Sequence, residues 1–224
     1  RIAFTGGPNV AKQIIINSAE NFAVTTLELG GKSPIIVFED ADIEGAVNGI
    51  IAGNYGASGQ SCVAGSRVIV HESKKKELID ELSKRVKSIV IGDPKKSETH
   101  VGPLCTIKQI ELIEKTIDKA VSQGANVVFG GSNIKQKGNA FEPTLIDCPN
   151  ESIVTLETEM FGPVISILTF KDEKQAIKMA NNSKYGLGSG LFTNNLARAH
   201  RVSKKIKAGI CWINSYRAIS PIAP

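Results

Sequence analysis

Short β-branched strands alternate with amphipathic helices along this chain, and that alternation limits the fold more than any other feature. Residues 2–4 form an apolar strand that runs into Gly6-Gly7-Pro8, and a helical run follows over 9–19. Residues 25–29 and 35–38 are strand-like. Asp42 then caps a helix through about Tyr55. A strand over 67–71 precedes a helix opened by Ser73, in which Leu78, Leu82, Val86 and Ile89 share a face. The spacing of Ile107, Ile110, Ile113, Ile117 and Val121 predicts a helix over 107–123, ended by Gly124. Strands follow over 127–129 and 164–170. Asp172 with Gln175 makes a capping box for a helix to Asn181. A strand over 187–192, a helix capped by Asn194 and running to about Ile206, and a strand over 210–213 complete the pattern. The stretches 93–106 and 130–141, rich in Gly, Ser, Lys and Asn, read as loops. Such alternation predicts an α/β domain with a mostly parallel sheet.

Composition removes several function classes. Hydrophobic residues at 42% and charged residues at 22% suit a soluble globular domain, neither disordered nor membrane-spanning. No apolar run approaches the roughly 20 residues a bilayer crossing needs. The net charge of +5 is spread over many segments. Lys74-Lys75-Lys76 soon meets Glu77, Asp80 and Glu81, so it reads as a solvated helix face rather than a nucleic-acid patch. Cys62, Cys105, Cys148 and Cys211 form no CxxC pair and the three histidines lie far apart, so no metal site is expected. Few cysteines in a chain of 224 residues also argue against a disulfide framework and for a reducing, cytoplasmic setting. The chain opens on Arg1-Ile2-Ala3-Phe4 and stops at Ser220-Pro221-Ile222-Ala223-Pro224, which reads as a fragment cut at both ends.

Four segments carry chemistry. Cys62, in Gly59-Gln60-Ser61-Cys62-Val63-Ala64-Gly65-Ser66-Arg67, lies in a Gly-flanked turn between helix and strand. Such a turn holds a thiol exposed yet fixed, as a nucleophile requires. Cys105, Cys148 and Cys211 read as small buried residues. Glu28, in Leu27-Glu28-Leu29-Gly30-Gly31-Lys32-Ser33-Pro34, is either a surface charge on a strand or a general base, which partial burial would tune toward neutrality. In Glu159-Met160-Phe161-Gly162-Pro163 a carboxylate sits on a rigid turn, either solvated or poised to accept hydrogen bonds from ribose hydroxyls. Gly6-Gly7, between a strand and a helix, exposes backbone N–H groups to an anion such as a pyrophosphate, though without the GxGxxG pattern.

Taken in order, Phe4-Thr5-Gly6, Leu27 through Pro34, Gly59 through Arg67 and Glu159 through Val164 resemble the motifs of the aldehyde dehydrogenase superfamily. Asn181 through Leu187 and Gly209 through Asn214 extend the resemblance over nearly the whole chain.

The resemblance implies a three-layer catalytic domain with a mostly parallel sheet over 29–224, preceded over 1–28 by a remnant of the NAD(P)-binding domain. It implies NAD(P)-dependent oxidation of a small-molecule aldehyde to a carboxylic acid. Cys62 is then the nucleophile that forms a thiohemiacetal and a thioester, and Glu28 activates the hydrolytic water. A Glu at this place favours hydrolysis over acyl transfer to coenzyme A. Gly6, Gly7, Leu29, Glu159 and Phe161 become the cofactor-binding residues, and Gly7 departs from a Ser common in relatives. Full-length relatives are homodimers or homotetramers, with no nucleic-acid or membrane partner. As a fragment, this chain is expected to bind NAD or NADP poorly and to turn over little. A thiol hydrolase or esterase using Cys62 without nicotinamide is the alternative enzyme, and a non-catalytic binding module the alternative class.

Overall fold

The structure is a computed structural model that describes residues 1–135 and 138–219. The stretch 220–224, read above as an abrupt end, lies outside the described residues, as do Gln136 and Lys137 of the 130–141 loop.

Strands β1 (Ile2–Gly6) and β2 (Thr25–Leu29) pair in parallel as a separate small sheet, with helix α1 (Pro8–Ser18) as the crossover. Pro8 suits the first helical turn, where no backbone N–H is required. The main sheet begins with β3 (Pro34–Val37), followed by α2 (Ile43–Ile50), β4 (Arg67–His71) and α3 (Lys75–Val86). Helix α4 (Ile107–Ser122) leads to β5 (Asn126–Phe129), a hairpin of β6 (Asn133–Ile134) and β7 (Ala140–Phe141), and β8 (Thr144–Asp147). Then come β9 (Val164–Phe170), α5 (Glu173–Asn181), β10 (Gly188–Phe192), α6 (Leu196–Ser203) and β11 (Ile210–Ile213). Seven strands lie in the order β11-β10-β3-β4-β9-β8-β5, all parallel except the edge pair β5 and β8.

Alternation along the strands divides the core in two. Ile35, Val37, Val68 and Val70 face Ala46, Val47 and Ile50 of α2 and Leu78 and Leu82 of α3. Ile36 and Ile69 point the other way, into a core shared with Ile110, Ile113 and Ile117 of α4, Met179 of α5 and Val202 of α6. The result is a helix–sheet–helix stack of three layers. Each buried Leu or Ile contributes roughly 1.5–3 kcal/mol. Among the described residues no helix is long and apolar enough to cross a membrane.

Three expectations need correcting. The helix begun at Asp42 does not run regularly to Tyr55. Asp42 does cap it, accepting the N–H groups of Glu44 and Gly45, but Ile51–Tyr55 forms a π-helical turn and Gly56–Gly59 a 3-10 turn. The cap of α6 is Asn195, whose side chain accepts the Arg198 N–H at 3.0 Å, not Asn194, and the helix ends at Ser203. Strand β8 and the β6–β7 hairpin lie in stretches read as loop or left unassigned, because runs of two to four residues carry no readable period.

Parallel strands place all their starting ends at one edge. The segments entering β3 (Gly30–Gly31–Lys32–Ser33), β4 (Cys62 to Ser66), β9 (Glu159 to Pro163) and β10 (Tyr185 to Leu187) therefore meet there, although they are far apart in sequence.

Candidate active site

Backbone contacts close the meeting. A Cβ on Gly31 would lie 2.1 Å from the Cys62 carbonyl oxygen and 3.6 Å from the Leu187 Cβ, so only glycine lets the three segments approach. A Cβ on Gly59, where φ is +72°, would strike the Gly162 carbonyl at 2.1 Å. The Glu159 carboxylate accepts the Gly31 N–H at 2.9 Å, and its other oxygen lies against Gly30. Cys62, Glu159, Gly30 and Gly31 thus form one constellation.

The turn that presents Cys62 is held under strain. Ala57 (φ +53°) and Ser58 (φ +57°) both occupy the left-handed region, at roughly 1–2 kcal/mol each. Neighbouring chain restrains them. The Ser58 hydroxyl donates to the Gly102 carbonyl at 2.9 Å, and the Gln60 Oε1 accepts the Cys105 N–H at 2.9 Å. The Tyr216 hydroxyl donates to the Val63 carbonyl at 2.9 Å, and its ring packs against Gly53, Gly65 and Gly190. Burial pushes that phenol up from its ordinary pKa. Cys62 itself is a free, half-buried cysteine.

Glu28 stands on β2 opposite Thr5 of β1. Its side chain is exposed, so the partial burial expected of it is not found. It lines a cleft of about 470 Å³ together with Pro8, Asn9 and Lys12 of α1, Leu29–Gly30, and 184–187. Leu29, which lines this cleft, pairs with Gly6. Gly7 is the N-cap of α1, and a Cβ there would meet nothing within 4 Å. The cleft therefore joins the C-terminal ends of two parallel strands to a helix N-terminus, an arrangement suited to an anionic ligand. Phe161 sits at φ +50° and is 40% exposed. Tyr185, also lining the cleft, is raised in pKa by burial and then by the Glu159 charge. Of the three cysteines expected to be buried, only Cys148 is; Cys211 is half-buried, near the edge of the sheet on β11, and Cys105 is exposed, on the loop before α4.

Several residues with structural control of the site were not singled out from sequence. Lys32 is buried between Arg67, Cys148 and Glu159, and its pKa is pushed down to about 7, chiefly by burial. Arg67 donates to the carbonyls of Lys32 (2.8 Å), Met179 (3.1 Å) and Ala180 (2.8 Å), tying the Gly-Gly turn to the C-terminus of α5. Its guanidinium is lowered to about 10 by the same cause, burial. Tyr216 and Asn54 complete the set. Nothing in the Gly- and Ser-rich stretch around Lys32 marks it as buried, and nothing local marks Tyr216.

The fold and site define an α/β protein with a cysteine-bearing turn at the starting edge of its parallel sheet and a cleft at a strand–helix junction. The chain belongs to the aldehyde dehydrogenase family, whose sequence pattern it matches over residues 1–224. It is 51% identical over 224 residues to (Z)-2-((N-methylformamido)methylene)-5-hydroxybutyrolactone dehydrogenase of Acinetobacter baylyi, covering 100% of this chain and 46% of that protein. It is 40% identical to betaine aldehyde dehydrogenase of Brucella anthropi, over 99% of this chain and 46% of that one. Among solved structures, betaine aldehyde dehydrogenase of Staphylococcus aureus in complex with NAD+ superposes with a TM-score of 0.95 at 38% identity, over 100% of this chain and 45% of that one. PnpE in complex with nicotinamide adenine dinucleotide gives 0.96 at 41% identity, over 99% and 46%. The chain thus spans about half the length of the relatives it matches.

Proposed function

We propose that the whole protein oxidises an aldehyde to a carboxylic acid with NAD or NADP, and that residues 1–28 belong to its cofactor-binding unit and 29–224 to its nucleophile-bearing domain. The observation that carries this reading is the convergence of the Cys62 turn and Glu159 on Gly30–Gly31, at the end of the β1–α1–β2 cleft. The open α1 N-terminus at Gly7, with room for an approaching group, fits a cofactor pyrophosphate. Relatives crystallised with NAD+ support the same choice.

Cys62 Sγ, as thiolate, attacks the aldehyde carbon and forms a thiohemiacetal. Nicotinamide, when bound, supplies the hydride acceptor. The Cys62 thioester left by oxidation is hydrolysed by water whose proton Glu28 takes. Glu28 on exposed β2 has solvent at hand for that step. Glu159 would accept hydrogen bonds from the nicotinamide ribose on the lone pairs not used by Gly31. Gly6 and Gly7 would offer the pyrophosphate their N–H groups, while the Leu29 backbone and Phe161 would bound the ring.

The test uses the full-length protein with an aldehyde and either nucleotide, following reduced cofactor. Cys62→Ala should abolish turnover. Glu28→Gln should lower kcat by about 100-fold or more while leaving a burst of reduced cofactor from the first oxidation. Ester cleavage by Cys62 without any reduction of nucleotide would sink the oxidoreductase reading.

A further inference from the structure

We propose that the small cavity behind the Cys62 turn is a binding site for one water molecule, held between the amide of Asn54 and the ammonium of Lys32. Asn54 sits in the π-helical turn Ile51–Tyr55 and is 0% exposed, yet neither its Oδ1 nor its Nδ2 has a hydrogen-bond partner. Buried amides in folded proteins are almost always satisfied, by protein or by ordered water. Lys32 is 2% exposed, and among the described residues its ammonium has no hydrogen-bond acceptor. Both residues line one cavity of about 10 Å³, together with Gly31, Ser61, Ser66 and Glu159. That volume admits a single water and little else.

The polar groups present select the occupant. An amide with both ends unpaired needs a partner that donates and accepts. A cation cannot accept from Nδ2 and is repelled by Lys32. An anion is opposed by the Glu159 carboxylate and exceeds the space. Water meets each demand, accepting a hydrogen bond from Lys32 or Nδ2 and donating one to Oδ1 or Glu159. A water so held bridges the π-helical turn to the Gly31–Lys32 segment and fixes the floor beneath Cys62.

Two measurements test this independently of any activity. A crystal structure of the chain, at a resolution that orders waters, should show a density peak about 3 Å from both Asn54 and Lys32 Nζ. Asn54→Leu, which fills the space with hydrocarbon and expels the water, should lower Tm by about 4 °C. A dry cavity predicts the opposite sign, because removing an unsatisfied amide stabilises the fold. An empty cavity in the density, or an Asn54→Leu variant of raised Tm, would overturn the proposal. Should the variant not fold, the density alone decides.

Discussion

Lys32 makes folding depend on pH in a direction opposite to that of an ordinary ion-paired lysine. Its ammonium is depressed from 10.5 to about 7, first by burial and then by Arg67, against smaller support from Cys148 and Glu159. Between those two pH values the unfolded chain keeps a proton that the folded chain has released. Raising pH through this window therefore favours folding, and below about pH 7 the full cost of the buried charge is present. Cys148 and Cys211, whose thiols burial holds above their ordinary 9.0, act the other way from about that pH upward. The Lys32 effect is thus cleanest from pH 7 to 9 and amounts to about 2 kcal/mol. Urea midpoints should rise across that interval in the wild type and stay flat in Lys32→Met. Equal pH dependence in the two proteins would refute the assignment. Composition and motif could not foretell this, since Lys32 stands in a glycine- and serine-rich stretch that reads as exposed turn. Only the fold shows that it is inside, 2% exposed and lining a cavity with the buried Met160 and Val164.

At the level of single elements, sequence was a good guide wherever a side chain and its own backbone settle the matter. Asp172 accepts the Gln175 N–H at 2.8 Å, as the capping pattern requires, and Thr25–Leu29, Arg67–His71, Val164–Phe170 and Ile210–Ile213 fall where β-branched runs put them. The turn of Gly124, at φ +93°, likewise ends α4. Failure came where two residues offer the same chemistry. Asn194 and Asn195 are equal candidates for a cap, and geometry selects the second, with Thr193 held between Asp40 and Asn214 just before it. Asn195→Ala should cost about 1 kcal/mol in chemical denaturation, and Asn194→Ala close to nothing. Equal losses at the two sites would place the cap wrongly. Irregular helix after Ile50 was equally out of reach, because the π-helical turn answers to the Tyr216 ring against Gly53, a contact between segments remote in the chain.

The site as a whole belongs to the parallel sheet, not to any motif. Cys62 and Glu159 were picked out from sequence and order, but their meeting at Gly31 depends on β3, β4, β9 and β10 starting at one edge. Ligands of open α/β sheets usually lie at the carboxyl ends of strands. Here that rule applies to β1 and β2, whose ends open the cleft, while the main sheet contributes its starting edge. The two sheets are unequally covered. The seven-stranded sheet is covered on both faces, whereas α1 buries only Ala11 and Ser18 and leaves Val10, Ile15 and Ile16 exposed. Phe22, 91% exposed, and Val24 continue that open apolar surface. A two-stranded sheet with so little covering opens without disturbing the main core. Amides of Ile2–Gly6 and Thr25–Leu29 should then exchange hydrogen at least about 100-fold faster than those of Val68 to Val70 in this chain. If the β1–α1–β2 unit belongs to a larger cofactor-binding sheet, the same amides in the full-length protein should regain protection, and NAD should raise it further. Slow exchange in the 224-residue chain, equal to that of β4, would show that the small sheet is stable on its own and remove the reason for assigning it to a larger one.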